Sequence, residues 1–231
     1  LGLSLLTYGV LIPWLGLYSD DWVFLSTYQK MGRAGLLRYF TTNRPFWGLF
    51  YQASLPLLGI KPWHWHLFGL FWHWAAASSM WWLVRIPWPK RGETALLAGM
   101  AFIVYPGFIL QPIALTVGHM FLVYTSFLLS VACLVMAHQR RRYFWPFTLL
   151  ALLFSAINIL SMEYFLLLHF IQPVFLWLSL AEQQPDGRLR LKLVARRWLP
   201  YFVLLVLVLA WRIFFFNYQT HNYQYLCLER L

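Results

Sequence analysis

Seven acidic residues occur among 231, and two of them, Asp20 and Asp21, are adjacent. They follow an apolar stretch, in the run YSDDWVF. A carboxylate beside hydrocarbon is costly unless it has a partner or a task. Ser and Asp ahead of an apolar helical stretch suit a helix N-cap, because their oxygens take up free backbone N–H groups. Acidic charge at that position also favours the helix dipole. One carboxylate suffices for a cap. The second is left over beside hydrocarbon, where it calls for a partner or a task.

Other polar residues fall in the same region. Lys30, Arg33, Arg38, Arg44 and Lys61 lie between residues 18 and 64, and Glu163 stands alone between Glu93 and Glu182. Glu163 has two readings of equal weight, an interfacial turn residue or a substrate ligand. The arginines and lysines here meet anions, either lipid headgroups or a lipid-linked phosphate. His119 reads first as a hydrogen-bonded loop histidine. His64, His66 and His73 approach metal-ligand spacing, yet no cysteine or carboxylate accompanies them. Interfacial anchoring among tryptophans fits them better than zinc. Cys133 lies in an apolar run and reads as an inert core residue, and with Cys227 it suggests no disulfide framework.

Elements must position these groups, and composition says of what kind. Hydrophobic residues make up 61% of the chain and charged ones 11%, against roughly 45–50% and 25% in soluble domains. Non-alternating apolar runs argue for a polytopic all-α membrane protein and against a barrel. Candidate spans are 1–17, 65–85, 94–112, 117–137, 144–161, 164–181 and 198–216, seven in all. Residues 46–60 are apolar but short and contain Gln52 and Pro56, which favours an interfacial segment. The segment 18–64 then forms two or three short amphipathic helices on the membrane surface, interrupted at Gly32 and Gly35 and restarted at Pro45.

The net charge is +11, and the positives lie mostly between apolar segments. No nucleic-acid motif is visible, so this charge reads as topology and lipid attraction. With seven spans, the basic clusters at 85–91, 140–142 and 188–197 share the cytoplasmic side. Residues 18–64, Glu163 and a tail at 217–231 share the other. The chain reads as a single transmembrane domain over 1–231, a fragment of a longer protein.

The order of these features resembles a known family. It comprises a first span, the acidic pair, short helices with NRP (43–45), then PLLGIKPWHWHLFGLFWHWAAASSMWWLVR (56–85). QPIALTVGHMFLVYTSFLLS (111–130) and LSMEYFLLL (160–168) follow. This layout is similar to the N-terminal transmembrane core of GT-C-type glycosyltransferases, which include protein O-mannosyltransferases and aminoarabinose transferases. Met162 stands where the family commonly has Lys before the Glu, and 111–119 lacks the family's frequent Glu and Trp. The resemblance implies a bacterial plasma-membrane enzyme with an extracytoplasmic site. It would transfer a sugar from a polyprenyl-phosphate donor to an acceptor glycan, lipid or protein. On this reading Asp20 or Asp21 is the general base, and a divalent cation at the pair stays open. Arg44 and Lys61 hold the phosphate, with Arg33, Arg38 and His119 in reserve, and Glu163 positions a sugar. The competing expectation is a transporter or lipid-binding protein that binds a cation at the acidic pair, although most spans are apolar at mid-depth, with Asn158 and the Pro173 region as exceptions. A scaffold subunit with capping carboxylates is the third.

Overall fold

The computed structural model of the chain describes residues 1–105 and 107–216. Cys227 and the expected tail at 217–231 lie outside the described residues. Every regular element among the described residues is helical. Helix α1 covers Gly2–Trp14, α2 Asp20–Thr41, α3 Pro45–Leu58, α4 Pro62–Arg85 and α5 Gly92–Val104. Helix α6 covers Ala114–Gln139, α7 Arg141–Ser161, α8 Glu163–Ser179 and α9 Gly187–Phe215. Pro45 and Pro62 open α3 and α4 at first-turn positions, where a missing N–H costs nothing. Tyr105 is extended, as a residue ahead of proline prefers, so α5 stops at Val104 and not near 112.

Three helices, α6, α7 and α9, are long and apolar enough to cross a membrane, which is compatible with a membrane protein. The expectation was seven. Helices α1, α5 and α8 have 10–17 residues, and at 1.5 Å per residue they fall short of a hydrocarbon core of about 30 Å. Helix α4 has 24 residues, but six tryptophans and three histidines dilute its apolarity. The region 182–197, expected as a loop, is largely helical. Asp186 caps α9 by accepting N–H bonds from Arg188 (2.8 Å) and Leu189 (3.4 Å), so the basic residues from Arg188 to Arg197 form its first turns.

Helix α2 is two helices meeting at Gly32, whose φ of 64° and ψ of −164° suit glycine almost alone. The chain folds back there. Phe24 from the first arm packs on Phe40 from the second, ring centroids 5.2 Å apart, and both rings meet Tyr51 of α3 at 5.3 Å. With α3, the segment 18–64 supplies three helical pieces. Trp47, Tyr51 and Leu55 lie a turn apart on one face of α3 and are buried with Leu36, Trp65, Leu115 and Met162. The hairpin returns Asn43 and Arg44 to the end where Asp20 and Asp21 begin.

Helix α6 is central, with 78% of its apolar window buried against 28% for α7 and 17% for α9. The peripheral helices turn Leu149, Leu153, Leu207 and Phe214 outward. Polar side chains tie the periphery to the centre. Asn158 donates to the Val123 carbonyl (2.9 Å) and accepts from His169 (2.9 Å). Gln172 donates to Ser130 and Ser155 (3.1 Å each) and accepts from the Trp198 indole (3.2 Å). Hydrogen bonds of this kind join apolar helices where the hydrophobic effect cannot.

Helices α4 and α6 run parallel. Gly69 sits against Gly118, the Thr125 hydroxyl reaches the Trp72 carbonyl at 3.4 Å, and the Gln139 amide donates to the Ile86 carbonyl at 3.1 Å. The basic clusters following α4 and α6 therefore share one end of the bundle. Arg197 of α9 joins them, its guanidinium 4.7 Å above the Phe144 ring. The acidic pair and Glu163 occupy the opposite end.

A Cβ on Gly118 would come within 2.9 Å of Phe68 Cδ1 and 3.3 Å of Gly69 Cα, whereas a Cβ on Gly69 meets nothing nearer than 3.6 Å. Gly118→Leu should therefore destabilise the detergent-solubilised protein by about 1–3 kcal/mol, and Gly69→Ala should not. Melting curves of the two variants decide this. Equal melting would mean that the helices do not cross there.

Candidate functional site

The two carboxylates of the pair have separate fates. Asp21 is fully buried. Its Oδ2 accepts the Ala114 N–H at 2.9 Å and the Tyr18 N–H at 3.4 Å, and its Oδ1 accepts the Leu115 N–H at 3.1 Å. Ala114 and Leu115 open α6, whose own N-cap residue, Ile113, has no side-chain cap bond. Asp21 thus caps a helix 93 residues further along the chain. Burial pushes its carboxyl up to about 6, and bonds from the backbone of Tyr18, Ala114, Leu115 and Thr116 restrain that rise. Ser19, the expected local cap, makes no cap bond to α2 and has φ 49°. Asp20 is exposed, with the Ser19 hydroxyl at 3.5 Å.

At the same end Glu163 is gripped by two arginines. Arg44 donates through Nη2 to Oε1 (2.8 Å) and through Nε to Oε2 (3.2 Å), a bidentate pair. Arg212 of α9 donates to Oε2 at 3.1 Å and to the Asn43 carbonyl at 3.3 Å. Arg44 also donates to the Tyr164 hydroxyl at 3.1 Å, and its guanidinium lies 5.2 Å from that ring. Side-chain exposure is 24% for Arg44 and 25% for Glu163. Burial by itself would raise the Glu163 carboxyl. The Arg44 bonds and the charges of Arg44 and Arg212 more than reverse this and hold it below the ordinary range. Among the described residues two guanidinium groups meet this one carboxylate.

The remaining candidates lie elsewhere. His119 is a core residue, 0% exposed, ringed by Trp47, Phe50, Tyr51, Trp65 and Phe68. Its Nδ1 donates to the Leu115 carbonyl (2.7 Å), which leaves Nε2 to the Ser54 hydroxyl (3.1 Å). Because α6 starts at Ala114, the expected loop histidine sits in a helix and has no access to a phosphate. Arg33, Arg38 and Lys61 are exposed. Arg38 faces a cleft of about 530 Å³ with Thr27, Thr42 and Asn43. Lys61 is the N-cap of α4, one turn before Trp65. Trp65 and His66 line a mostly apolar groove of about 270 Å³ between α1, α4 and residues 108–114, which ends at Ala114.

A divalent cation at the acidic pair does not fit these residues. Both Asp21 oxygens are buried and face amide N–H groups, so Asp21 cannot chelate with Asp20. Among the described residues no three His, Cys, Asp or Glu side chains converge. His66 bonds to the Gly16 carbonyl (2.8 Å), His64 to the Leu58 carbonyl, and His73 is enclosed by Tyr8, Phe102, Phe108 and Phe121. Cys133 is buried.

Arg212 escaped sequence reasoning. The signal was present: it is the one charged residue in the apolar run 198–216, and such a residue is expensive without a partner. No family model, curated protein or solved structure matches the chain.

Two measurements probe the site. Asp21 binds a proton more readily folded than unfolded, so stability should fall as pH rises from about 4 to about 6, on the order of 2–3 kcal/mol. Asp21→Asn should flatten that slope and lower stability at acidic pH, since its NH2 faces an amide N–H. Glu163 has the opposite sign. Its contribution is full above the ordinary carboxylate range and is lost as pH falls below it. Glu163→Gln should cost about 1–3 kcal/mol at neutral pH. Thermal melts across pH 3–8 separate the two windows.

Proposed function

We propose that the chain is the transmembrane core of a glycosyltransferase that moves a sugar from a polyprenyl-phosphate carrier to an acceptor hydroxyl. On this reading α6, α7 and α9 cross the membrane, and α4 with the shorter apolar helices α1, α5 and α8 make up the rest of the seven expected membrane segments. The α2 hairpin and α3 lie at the extracytoplasmic surface, and the basic end faces the cytoplasm. The carrying observation is the fold-back at Gly32, which returns Arg44 to the end where Asp20 stands exposed.

Roles follow from accessibility. Asp20, and not the buried Asp21, is the base that takes the acceptor proton as the oxygen attacks the anomeric carbon. The bond from sugar to phosphate breaks, and the phosphate leaves toward fixed cations. Arg44 is held by Glu163, which also pairs with Arg212. Trp65 and His66, one turn along α4 from Lys61, line an apolar groove that suits a prenyl tail. Glu163 positions the arginines before it positions any sugar. The transport reading drew on Asn158, and both polar ends of that side chain are already bonded within the bundle.

A transfer assay on membranes with a panel of polyprenyl-phosphate sugars tests this. Asp20→Asn should lower the rate at least 100-fold, in the range removed with a general base, with melting unchanged. Arg44→Ala should weaken donor binding. Full transfer by Asp20→Asn would remove the base, and a panel with no donor consumed would remove the function.

A further inference from the structure

The basic end of the bundle holds a pocket that glycosyl transfer does not use. It has a volume of about 490 Å³ and is lined by His138, Arg141, Phe144, Trp145, Gln183 and Arg197, among others. Arg197 lies flat, 4.7 Å over the Phe144 ring, and its buried Nε has no hydrogen-bond partner. His138 donates from Nδ1 to the Leu134 carbonyl at 2.8 Å, which leaves its buried Nε2 as an acceptor without a partner. Among the described residues no carboxylate lies within ion-pair distance of Arg141 or Arg197. Two guanidinium groups without a carboxylate partner call for an anion with several oxygens, and paired guanidinium groups suit phosphate.

Position narrows the source. His138 is 24 residues along α6 from Ala114, roughly 36 Å at 1.5 Å per residue, which is about one bilayer core from the Asp20–Arg44 end. Trp145 and Leu149, one turn apart on α7 beside the pocket, are 70% and 63% exposed. A charged head in the pocket would lay its acyl chains along that apolar face. We infer that this pocket binds the phosphate of an anionic phospholipid in the leaflet opposite the Asp20–Arg44 end. The site is built by α6, α7 and α9 together, so its occupant clamps the peripheral helices to the central one. This stands independently of glycosyl transfer.

The test compares two variants that each remove two positive charges. Arg141→Ala with Arg197→Gln empties the pocket. Arg188→Ala with Lys192→Ala removes exposed charge from the same end of α9. Purified full-length protein in neutral detergent is titrated with phosphatidylglycerol, phosphatidylcholine or inorganic phosphate, with bound lipid read by native mass spectrometry and stability by melting. Phosphatidylglycerol binding should fall at least tenfold in the pocket variant and less than twofold in the control, with phosphatidylcholine weak throughout. Equal losses in both variants mean diffuse charge attraction and overturn the site. Stabilisation by inorganic phosphate that needs Arg141 and Arg197, with phosphatidylglycerol no better than phosphatidylcholine, overturns the lipid assignment. If the double variant does not fold, Arg141→Ala and Arg197→Lys are read singly. Arg197→Lys keeps the charge but loses the planar fork, so binding retained in full by both single variants overturns the proposal.

Discussion

Asp21 holds the N-terminus of α6, and the rest of the structure is arranged around that contact. The first peptide N–H groups of a helix have no partner within it, and they carry the positive end of its dipole. In α6 those groups are buried, so water cannot satisfy them. A buried carboxylate needs N–H donors for the same reason. Each side relieves the other, and the contact joins the segment after α1 to the central helix of the bundle. Asp21 cannot leave without stranding two amides, and α6 cannot shift along its axis without stranding a carboxylate. The aromatic cage of His119, Tyr51 and Trp65 then packs one turn inside this junction.

A second consequence is the division of charge between the ends. Parallel packing of α4 and α6 through Gly69 and Gly118 puts their C-terminal arginines together, and α9 brings its own beside them. At the opposite end Arg44 and Arg212 are drawn to Glu163, the carboxylate at the turn between α7 and α8. Arg44 grips that carboxylate through two parallel N–H bonds, which fixes its guanidinium at the partly exposed end. A guanidinium so fixed suits a phosphate-bearing ligand, and Asp20 lies at the same end with its carboxylate free to water. At the opposite end, among the described residues, no carboxylate lies within ion-pair distance of Arg141 or Arg197, so each end invites an anion by different means.

Several elements were legible in the chain. Glycine at 32 and proline at 45 marked breaks that the backbone makes, since one tolerates positive φ and the other starts a helix. The run 144–161 ended where α7 ends. Other elements were not legible for identifiable reasons. The stretch 182–197 is polar and basic, which resembles a loop, yet Leu, Arg and Lys are good helix formers and Asp186 supplies the cap. His119 followed Gly118 in what resembled a turn, and only the capping of α6 from outside shows that the helix begins before it. Arg212 was visible as an anomaly, but its partner lies 49 residues away.

The sequence by itself determined the all-helical class, the apolar segments and the presence of one carboxylate too many at residues 20 and 21. These follow from local composition and spacing, which act within a few residues. Tertiary structure decided which carboxylate does what. Asp21 is committed because an uncapped helix end, far along the chain, arrives beside it. Asp20 is left exposed because no second helix end does. The sharing of one side by the three basic clusters was already expected from the span count, but the pairing of Glu163 with Arg44 and with Arg212 was decided the same way. Each depends on which helices lie parallel and touching, and that is a property of packing between segments distant in sequence.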